Sequence, residues 1–427
     1  MTVRTRQGEL ERDRPLPAPP WPRSLRPDEV GVVLGVILLP LINPPGPGNS
    51  GVADFGLVVA VVTWLLCTRA GGASVRVPYL FAVTVLASGG AVAIVAGGPG
   101  RGVLALGQEG LLLLWSAALA AMVAHDRGLV LVLRVWVVTV LASAAGIVLG
   151  VALGLSALSG VTPGDGSRAA GTLGDPNLAA SYLLVGLLVL RAAQWPRRAP
   201  LRWACAATIV TALVMTASNG GLLALAVATS VGAIAAVGHR HGAAAAVAVA
   251  CGGLLLVGAV LPRLPWSTLQ RDAAASAPVL HDSLGRSGQS SASRGLLFAE
   301  TVRLAREEGL LGLGPGGTKA ALRARQAPYV KESHDDYLAA LVERGLIGVV
   351  GLVLLAQTLV LRMRLVLLPA RRASLAEVLP RPELLGCALL TVALSAMFYE
   401  VLHFRHVWAL FGLVAGLSVR QFVLARS

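Results

Sequence analysis

The chain has 427 residues, of which 55% are hydrophobic and only 14% are charged, and its mean hydropathy is +0.72. This composition excludes a soluble globular domain and predicts an all-α integral membrane protein that crosses the bilayer many times. The formal net charge of +14 comes from arginines spread along the chain, so it does not predict nucleic-acid binding.

Apolar segments of spanning length recur about twelve times. A basic, proline-rich tail at 1–28 precedes about nine spans within 29–262, a polar loop follows at 263–336, and about three more spans and a short tail occupy 337–427. The predicted spans are 29–43, 52–68, 77–97, 102–124, 129–155, 177–193, 201–217, 219–238, 241–262, 345–363, 383–402 and 406–423.

The arginines of the short connections predict how these spans are oriented. If the N-terminal tail is cytoplasmic, the inside connections carry most arginines, and the short outside connections carry few beyond Arg101, Arg168 and Arg405. Cytoplasmic connections are enriched in this way in membrane proteins. Both termini are therefore predicted to be cytoplasmic, with the long loop 263–336 on the outer face.

The long loop contains a predicted amphipathic helix followed by a glycine-rich turn. Leu297, Thr301 and Ala305 recur at helical spacing, which suits a helix lying along the membrane surface. The turn "GLGPGGTKA" lacks the spacing of a phosphate-binding loop, so no nucleotide is expected. Cofactors are not expected at all, and the cysteines show no metal-ligand spacing.

Polar residues that the apolar composition does not explain fall at the outer ends of the spans in this topology. Random placement would scatter such residues over both faces, so their convergence predicts a site at the outer boundary of the membrane. These residues are Asp175, Asn177, Asn219, Arg294, His334, Asp335, Asp336, Tyr337 and Arg405.

Two stretches resemble the core of the O-antigen ligase and polymerase family. They are "RGLLFAETVRLAREEGLLGLGPGG" and, after a short gap, "SHDDYLAALVERGLIGVVGLVLL". "GDPNLAASY" and "FRHVWALFGL" occupy the places of similar family stretches. The resemblance covers roughly residues 170–420. It identifies the superfamily better than the substrate.

The resemblance implies a GT-C-like membrane glycosyltransferase of polysaccharide and cell-envelope biosynthesis, located in the bacterial cytoplasmic membrane. Its donor would be a glycan linked to a polyprenyl pyrophosphate, and its acceptor a hydroxyl of a glycan, lipid or protein on the extracytoplasmic side. Membrane lipids are the other expected partner. The reaction would invert the anomeric centre and need no metal.

The same resemblance assigns roles to individual residues. His334 would accept or orient the acceptor proton, because its ordinary pKa lies near neutrality. Arg294 would bind the pyrophosphate through its forked guanidinium. Many members have an arginine where this chain has Asn219, so Arg405 or Arg168 is expected to replace it. Glu343 is expected to pair structurally with an arginine.

Other interpretations remain open at this point. Asp335 and Asp336 would also serve as helix caps, Asp175 and Asn177 as a turn and N-cap, and Arg294 as a solvated loop charge. The alternative function is a secondary transporter or lipid-linked-glycan flippase. A transporter should place charges or broken helices near the bilayer midplane, where Glu109 and Arg134 are the only candidates. Ligase, polymerase and protein glycosyltransferase are not separated by the sequence.

Overall fold

The computed structural model describes residues 24–43, 50–71, 77–97, 102–161, 166–260, 263–265, 287–307 and 309–424, with four isolated positions between 268 and 276. Most of the predicted N-terminal tail and much of the first part of the long loop lie outside these residues. The described residues form helices and connections without a strand.

Each predicted span corresponds to one helix. The first nine helices are α1 (Pro27–Leu38), α2 (Val52–Gly71), α3 (Leu80–Gly97), α4 (Gly102–Val123), α5 (Asp126–Ala152), α6 (Pro176–Ala193), α7 (Ala199–Met215), α8 (Asn219–His241) and α9 (Ala243–Val260). The long loop contributes α10 (Ser287–Glu307) and the short α11 (Gly317–Ala324). The last three spans correspond to α12 (Asp336–Leu367), α13 (Glu383–Ser395) and α14 (Arg405–Leu424).

Seven of these helices, α3 to α6, α8, α9 and α12, are long and apolar enough to cross a membrane, and α2, α7 and α13 contain shorter apolar stretches. The all-α polytopic class is therefore confirmed. Two helices are shorter than expected: α1 has 12 residues and α13 has 13, lengths that cover only about 18–20 Å. After Ser395 the chain turns into an irregular segment, where the sequence predicted a span reaching 402.

Small residues bring the helices together. A methyl group on Gly89 of α3 would lie 2.6 Å from the carbonyl oxygen of Arg344, and one on Gly351 of α12 would lie 2.3 Å from the backbone nitrogen of Leu86. Such close backbone approach stabilises helix pairs within a bilayer. Helix α6 lies at the centre of the bundle, since 83% of its 18-residue apolar stretch is buried. In α9, by contrast, no residue of the corresponding stretch is buried.

Helix α12 is broken at Gly345, whose backbone φ of 62° and ψ of −162° are not helical. A side chain there would meet the carbonyl oxygen of Leu310 at 2.0 Å. The break frees backbone groups that the glycine-rich turn satisfies. Leu313 N donates to Val342 O and Gly314 N to Glu343 O, both at 2.9 Å. Irregular backbone at membrane depth requires partners of this kind.

Helix α10 has the predicted apolar face, and this face packs on protein. Leu297 and Leu304 are buried in a small cluster with Leu322 of α11 and Val342 of α12. Thr301 on the same face is also fully buried. Helix α10 of the long loop thus packs on the first part of α12, which directly follows the predicted catalytic histidine.

The orientation of the bundle in the membrane gives a testable prediction. Reporter fusions placed after Arg240, at the end of α8, and near Ala320, in α11, are expected to report opposite sides of the membrane. The reason is the asymmetric distribution of arginines among the short connections. The same signal from both fusions would contradict the predicted topology, and a fusion after Arg198 provides the matched cytoplasmic reference.

Candidate active site

Tyr399, in the irregular segment between α13 and α14, brings the two predicted catalytic residues together. Arg294 donates from Nη2 to the Tyr399 hydroxyl at 3.0 Å, and its guanidinium carbon lies 5.9 Å from the Phe398 ring centroid and 5.5 Å from that of Tyr399. The His334 ring stands edge-on to Tyr399, with centroids 6.4 Å apart. Arg294 is therefore held in a defined place, and the interpretation as a solvated loop charge is wrong.

A second set of polar groups lies beside His334. The Ser333 hydroxyl donates to Glu400 Oε1 at 2.7 Å, and His403 Nε2 lies 3.3 Å from Glu400 Oε2. The His403 side chain is 44% exposed, so it is accessible to a ligand.

The charges of this set follow from burial and proximity. Burial alone would lower the pKa of His403, but the hydrogen bond and negative charge of Glu400 raise it to about 9. Burial would raise the pKa of Glu400, but His403 and the Ser333 hydroxyl lower it. At neutral pH these two residues therefore form an imidazolium–carboxylate pair.

His334 has the opposite electrostatic character. Burial lowers its pKa, and this outweighs the raising effect of the Glu400 charge. The imidazole is consequently neutral at pH 7 and able to accept a proton. Its backbone φ of 52° lies in the left-handed region, which histidine adopts more readily than most residues other than glycine, asparagine and aspartate.

The three residues after His334 have internal partners. Asp335 caps α12, with Oδ1 accepting from Tyr337 N at 2.9 Å and Leu338 N at 3.0 Å, and burial raises its pKa. The cap interpretation is therefore confirmed for Asp335. It is wrong for the buried Asp336, whose Oδ2 instead accepts from Val401 N at 2.7 Å. This bond ties the start of α12 to the segment that carries Tyr399 and Glu400.

Tyr337 differs from its two neighbours because its ring is exposed, while its hydroxyl donates to Ala393 O at 2.9 Å. Substrate contact by Asp335, Asp336 and Tyr337 stays a prediction. Of the three, the exposed ring of Tyr337 offers the most surface to a bound ligand.

The starts of α6 and α8 are joined at the same end of the bundle. Asp175 caps α6 by accepting hydrogen bonds from Asn177 N and Leu178 N, as the interpretation of this residue as an N-cap predicted. Asn177 Oδ1 accepts from Arg168 Nη2 at 2.9 Å and from the Ser218 hydroxyl, the cap of α8, at 3.0 Å.

Asn219, the first residue of α8, is exposed and precedes the glycine that touches Tyr399. A methyl group added to Gly220 would lie 3.1 Å from the Tyr399 ring. The N-terminus of α8 thus faces the tyrosine that holds Arg294. Helices α2, α6, α12 and α14 also begin at this end, and the partial positive charge of helix N-termini attracts anions.

Arg405 and Arg168 were the two candidates to replace the arginine absent at Asn219. Arg405 is 8% exposed and forms a two-pronged pair with Asp54 of α2, from Nε to Oδ1 at 3.0 Å and from Nη2 to Oδ2 at 2.7 Å. Its charge is already matched by a carboxylate. Arg168 binds Asn177, two residues into the turn that opens α6, and is the better-placed of the two beside Asn219.

Among the described residues Glu343 pairs with no arginine, so that expectation is wrong. Its carboxylate accepts from Gly316 N at 2.7 Å, from Thr318 N at 3.2 Å and from the Thr318 hydroxyl at 2.7 Å. Its neighbour Arg344 instead pairs with Glu109 of α4, with Nη1 2.9 Å from Oε2. Glu109, which the sequence offered as a candidate charge near the bilayer midplane, is therefore paired.

These contacts also bear on the transporter alternative. The broken α12 resembles the interrupted helices of transporters. Its freed carbonyls at Val342 and Glu343, however, already accept hydrogen bonds from the glycine-rich turn, and the adjacent charges of Glu109 and Arg344 neutralise one another. The break therefore presents no open carbonyl at these positions to an ion or substrate.

No three His, Cys, Asp or Glu side chains among the described residues cluster as metal ligands would. The candidate site also contains four residues that sequence reasoning did not assign: Ser333, Tyr399, Glu400 and His403. The stretch "YEVLHFRHVW", with several ionisable groups at the edge of an apolar run, was the signal that could have found the last three.

Residues 204–353 match the family model described as O-antigen ligase. The match contains Asn219, Arg294 and the run from His334 to Tyr337, and ends before Tyr399 and Arg405. No curated protein matches the chain. The match confirms the resemblance predicted from the sequence and supports glycan transfer of the O-antigen ligase or polymerase type.

Proposed function

Because residues 204–353 match the O-antigen ligase family model, we propose that the chain transfers a glycan from a polyprenyl-pyrophosphate carrier to an acceptor hydroxyl. The observation that carries this proposal is the meeting of Arg294 and His334 at Tyr399. Arg294, a cation suited to phosphate, and His334, a neutral base, then contact the same aromatic ring. The reaction of a glycosyl pyrophosphate with an alcohol uses a cation to stabilise the leaving pyrophosphate and a base to accept the alcohol proton.

The donor pyrophosphate is assigned to the Arg294 side of the site. Guanidinium binds phosphate oxygens in forked geometry and stays charged at every physiological pH. The N-terminus of α8 adds backbone N–H groups beside Tyr399, and its cap is the neutral Ser218, so the cap itself adds no negative charge at the positive end of this helix. The His403 imidazolium offsets the negative charge of Glu400 beside the site, so this carboxylate does not repel the pyrophosphate.

The acceptor is assigned to the His334 side. In a single displacement, the acceptor oxygen attacks the anomeric carbon while its proton passes to the neutral imidazole. The bond from that carbon to the pyrophosphate oxygen breaks, and the polyprenyl pyrophosphate leaves with the bonding electrons. Attack opposite the leaving group inverts the anomeric centre. Arg294 stabilises the negative charge that develops on the leaving oxygen.

The remaining parts of the proposal concern location and metal. The site is assigned to the extracytoplasmic face of the bacterial cytoplasmic membrane, because the arginines predicted to lie inside, such as Arg127, Arg197 and Arg372, belong to the opposite ends of the helices. The arginines and helix N-termini supply the charge stabilisation that a divalent cation provides elsewhere. The acceptor class, whether glycan, lipid or protein, is left open.

The test is a transfer assay with purified full-length protein, a synthetic polyprenyl-pyrophosphate-linked glycan and a panel of hydroxyl acceptors. The expected result is release of polyprenyl pyrophosphate, a product with inverted anomeric configuration by NMR, and unchanged activity in chelator. Loss of activity in chelator that Mg²⁺ or Mn²⁺ restores would contradict metal independence and point to Asp335 and Asp336 as ligands.

Donor recognition is tested separately, since a mismatched glycan would hide a functional site. Polyprenyl pyrophosphate alone is expected to raise the melting temperature of the protein, whereas polyprenyl alcohol is not, because only the former has the charges that Arg294 binds. Equal effects of the two lipids would argue against pyrophosphate recognition.

A further inference from the structure

A cavity lies at the other end of the bundle from Tyr399. It has a volume of about 950 Å³ and is formed by the start of α5, the end of α6, the connection that leads into α7, and residues near Val378. Helix α6 begins beside Asp175 and ends at this cavity, and its 18 residues separate the two places by about 27 Å. The cavity is therefore distinct from the proposed active site.

The walls of this cavity carry an excess of positive charge. Four arginines line it, together with two carboxylates, Asp126 and Glu377. Asp126 is matched by Arg420 of α14, and Arg127 by Glu29 of α1 at 3.1 Å. After these pairs are set aside, Glu377 faces three arginines: Arg134, Arg197 and Arg202.

Two of these arginines are held by groups that carry no net charge. The guanidinium of Arg134 lies 5.9 Å from the Trp195 ring centroid. Arg202 donates from Nη1 to the carbonyl oxygens of Gln194 and Pro196, each at 3.2 Å. Their positions are thus restrained by neutral groups, and among the described lining residues only Glu377 remains to balance the three positive charges. Guanidinium groups arranged in advance in this way favour phosphate oxygens.

Most of the remaining lining is apolar. Aliphatic side chains and Trp195 face the same space as the arginines: Val130, Leu131, Leu133, Val378 and Pro380. Low-dielectric walls strengthen the attraction between fixed cations and an anion. A volume near the upper end of the usual range for ligand pockets has room for a headgroup with part of an attached chain.

We propose that this basic cavity is a binding site for a phosphate-bearing ligand, either the headgroup of an anionic phospholipid or a free phosphorylated solute. Basic pockets between membrane helices on the cytoplasmic side are suited to anionic lipid headgroups. The proposal does not depend on the proposed transferase activity, because it rests on residues at the opposite end of α6.

Binding is measured with full-length, delipidated protein in neutral detergent. One arm adds mixed micelles containing phosphatidylglycerol, a second adds micelles containing phosphatidylcholine, and a third adds inorganic phosphate. Native mass spectrometry counts bound lipid, and the melting temperature reports phosphate. The double variant Arg134→Gln/Arg197→Gln is compared with Arg364→Gln, which removes an exposed arginine from the last turn of α12.

Wild-type protein and Arg364→Gln are expected to retain phosphatidylglycerol in preference to phosphatidylcholine. Each cavity arginine removed should weaken this binding by about fivefold. A rise in melting temperature with inorganic phosphate alone, lost in the double variant, would identify a soluble phosphate ligand instead. Equal binding by the double variant and Arg364→Gln, or no preference for either phosphate probe, would overturn the proposal. Arg197→Gln alone, at an exposed position, serves if the double variant does not fold.

Discussion

Replacing Arg294 by alanine is expected to lower kcat/KM for glycan transfer by about 30- to 150-fold, the equivalent of about 2–3 kcal/mol for a lost charge-assisted contact to phosphate. The protein should still reach the membrane, because Arg294 is only partly buried and the fold does not depend on its charge. Arg294→Lys should also be poor, since the ammonium keeps the charge but loses the fork. The measurement is the transfer assay, with expression checked in parallel.

Two controls separate phosphate binding from a general effect on the loop helix. Arg303 lies on the same helix and pairs with Glu307 at 3.0 Å, so Arg303→Ala removes a surface charge and should leave transfer near wild type. Tyr399→Phe removes the hydroxyl that positions Arg294 and should cause a smaller loss than Arg294→Ala. Near wild-type activity of Arg294→Ala at normal expression would remove this arginine from the site.

The helices themselves could be predicted from the sequence, because hydropathy reports directly on the lipid environment of each segment. Every predicted span corresponds to a helix, and Asp175 and Asp335 cap the helices that follow them. The early end of α13 could not be predicted. The segment after Ser395 is apolar enough to continue a helix, but Val401 N and Leu402 N are used by Asp336, a tertiary contact that no local pattern contains.

The candidate site could be predicted only in part, because it too depends on contacts between distant parts of the chain. His334 and Arg294 were found because each stands in a stretch with a family pattern. Tyr399 joins them across 105 residues of sequence from Arg294. The pairing of Glu109 with Arg344 spans 235 residues. A single sequence shows that these groups lie near membrane boundaries, but it does not show which of them share one site.

The second large effect is expected at His334, where loss of the imidazole should lower turnover by about 10²–10⁴-fold, the usual contribution of a positioned acid–base group. His334→Ala alone is ambiguous, because alanine tolerates the left-handed backbone less well than histidine does. His334→Asn and His334→Gly accept that conformation and also lack the base. All three variants should be inactive in transfer and should still bind polyprenyl pyrophosphate, which the arginine side of the site holds.

The pH dependence of kcat/KM links this loss to His334, because it reports groups in the free enzyme. Activity should rise with pH through a value below 6.5, since burial lowers the pKa of His334 and the base must be neutral. Above about 9 it should fall again, because deprotonation of His403 leaves the negative charge of Glu400 unbalanced beside the pyrophosphate. Glu400→Gln removes a charge that raises the pKa of His334, so the acid limb should move to lower pH and the alkaline limb should weaken. An acid limb that stays in place or moves upward, or an active His334→Asn enzyme, would exclude His334 as the base.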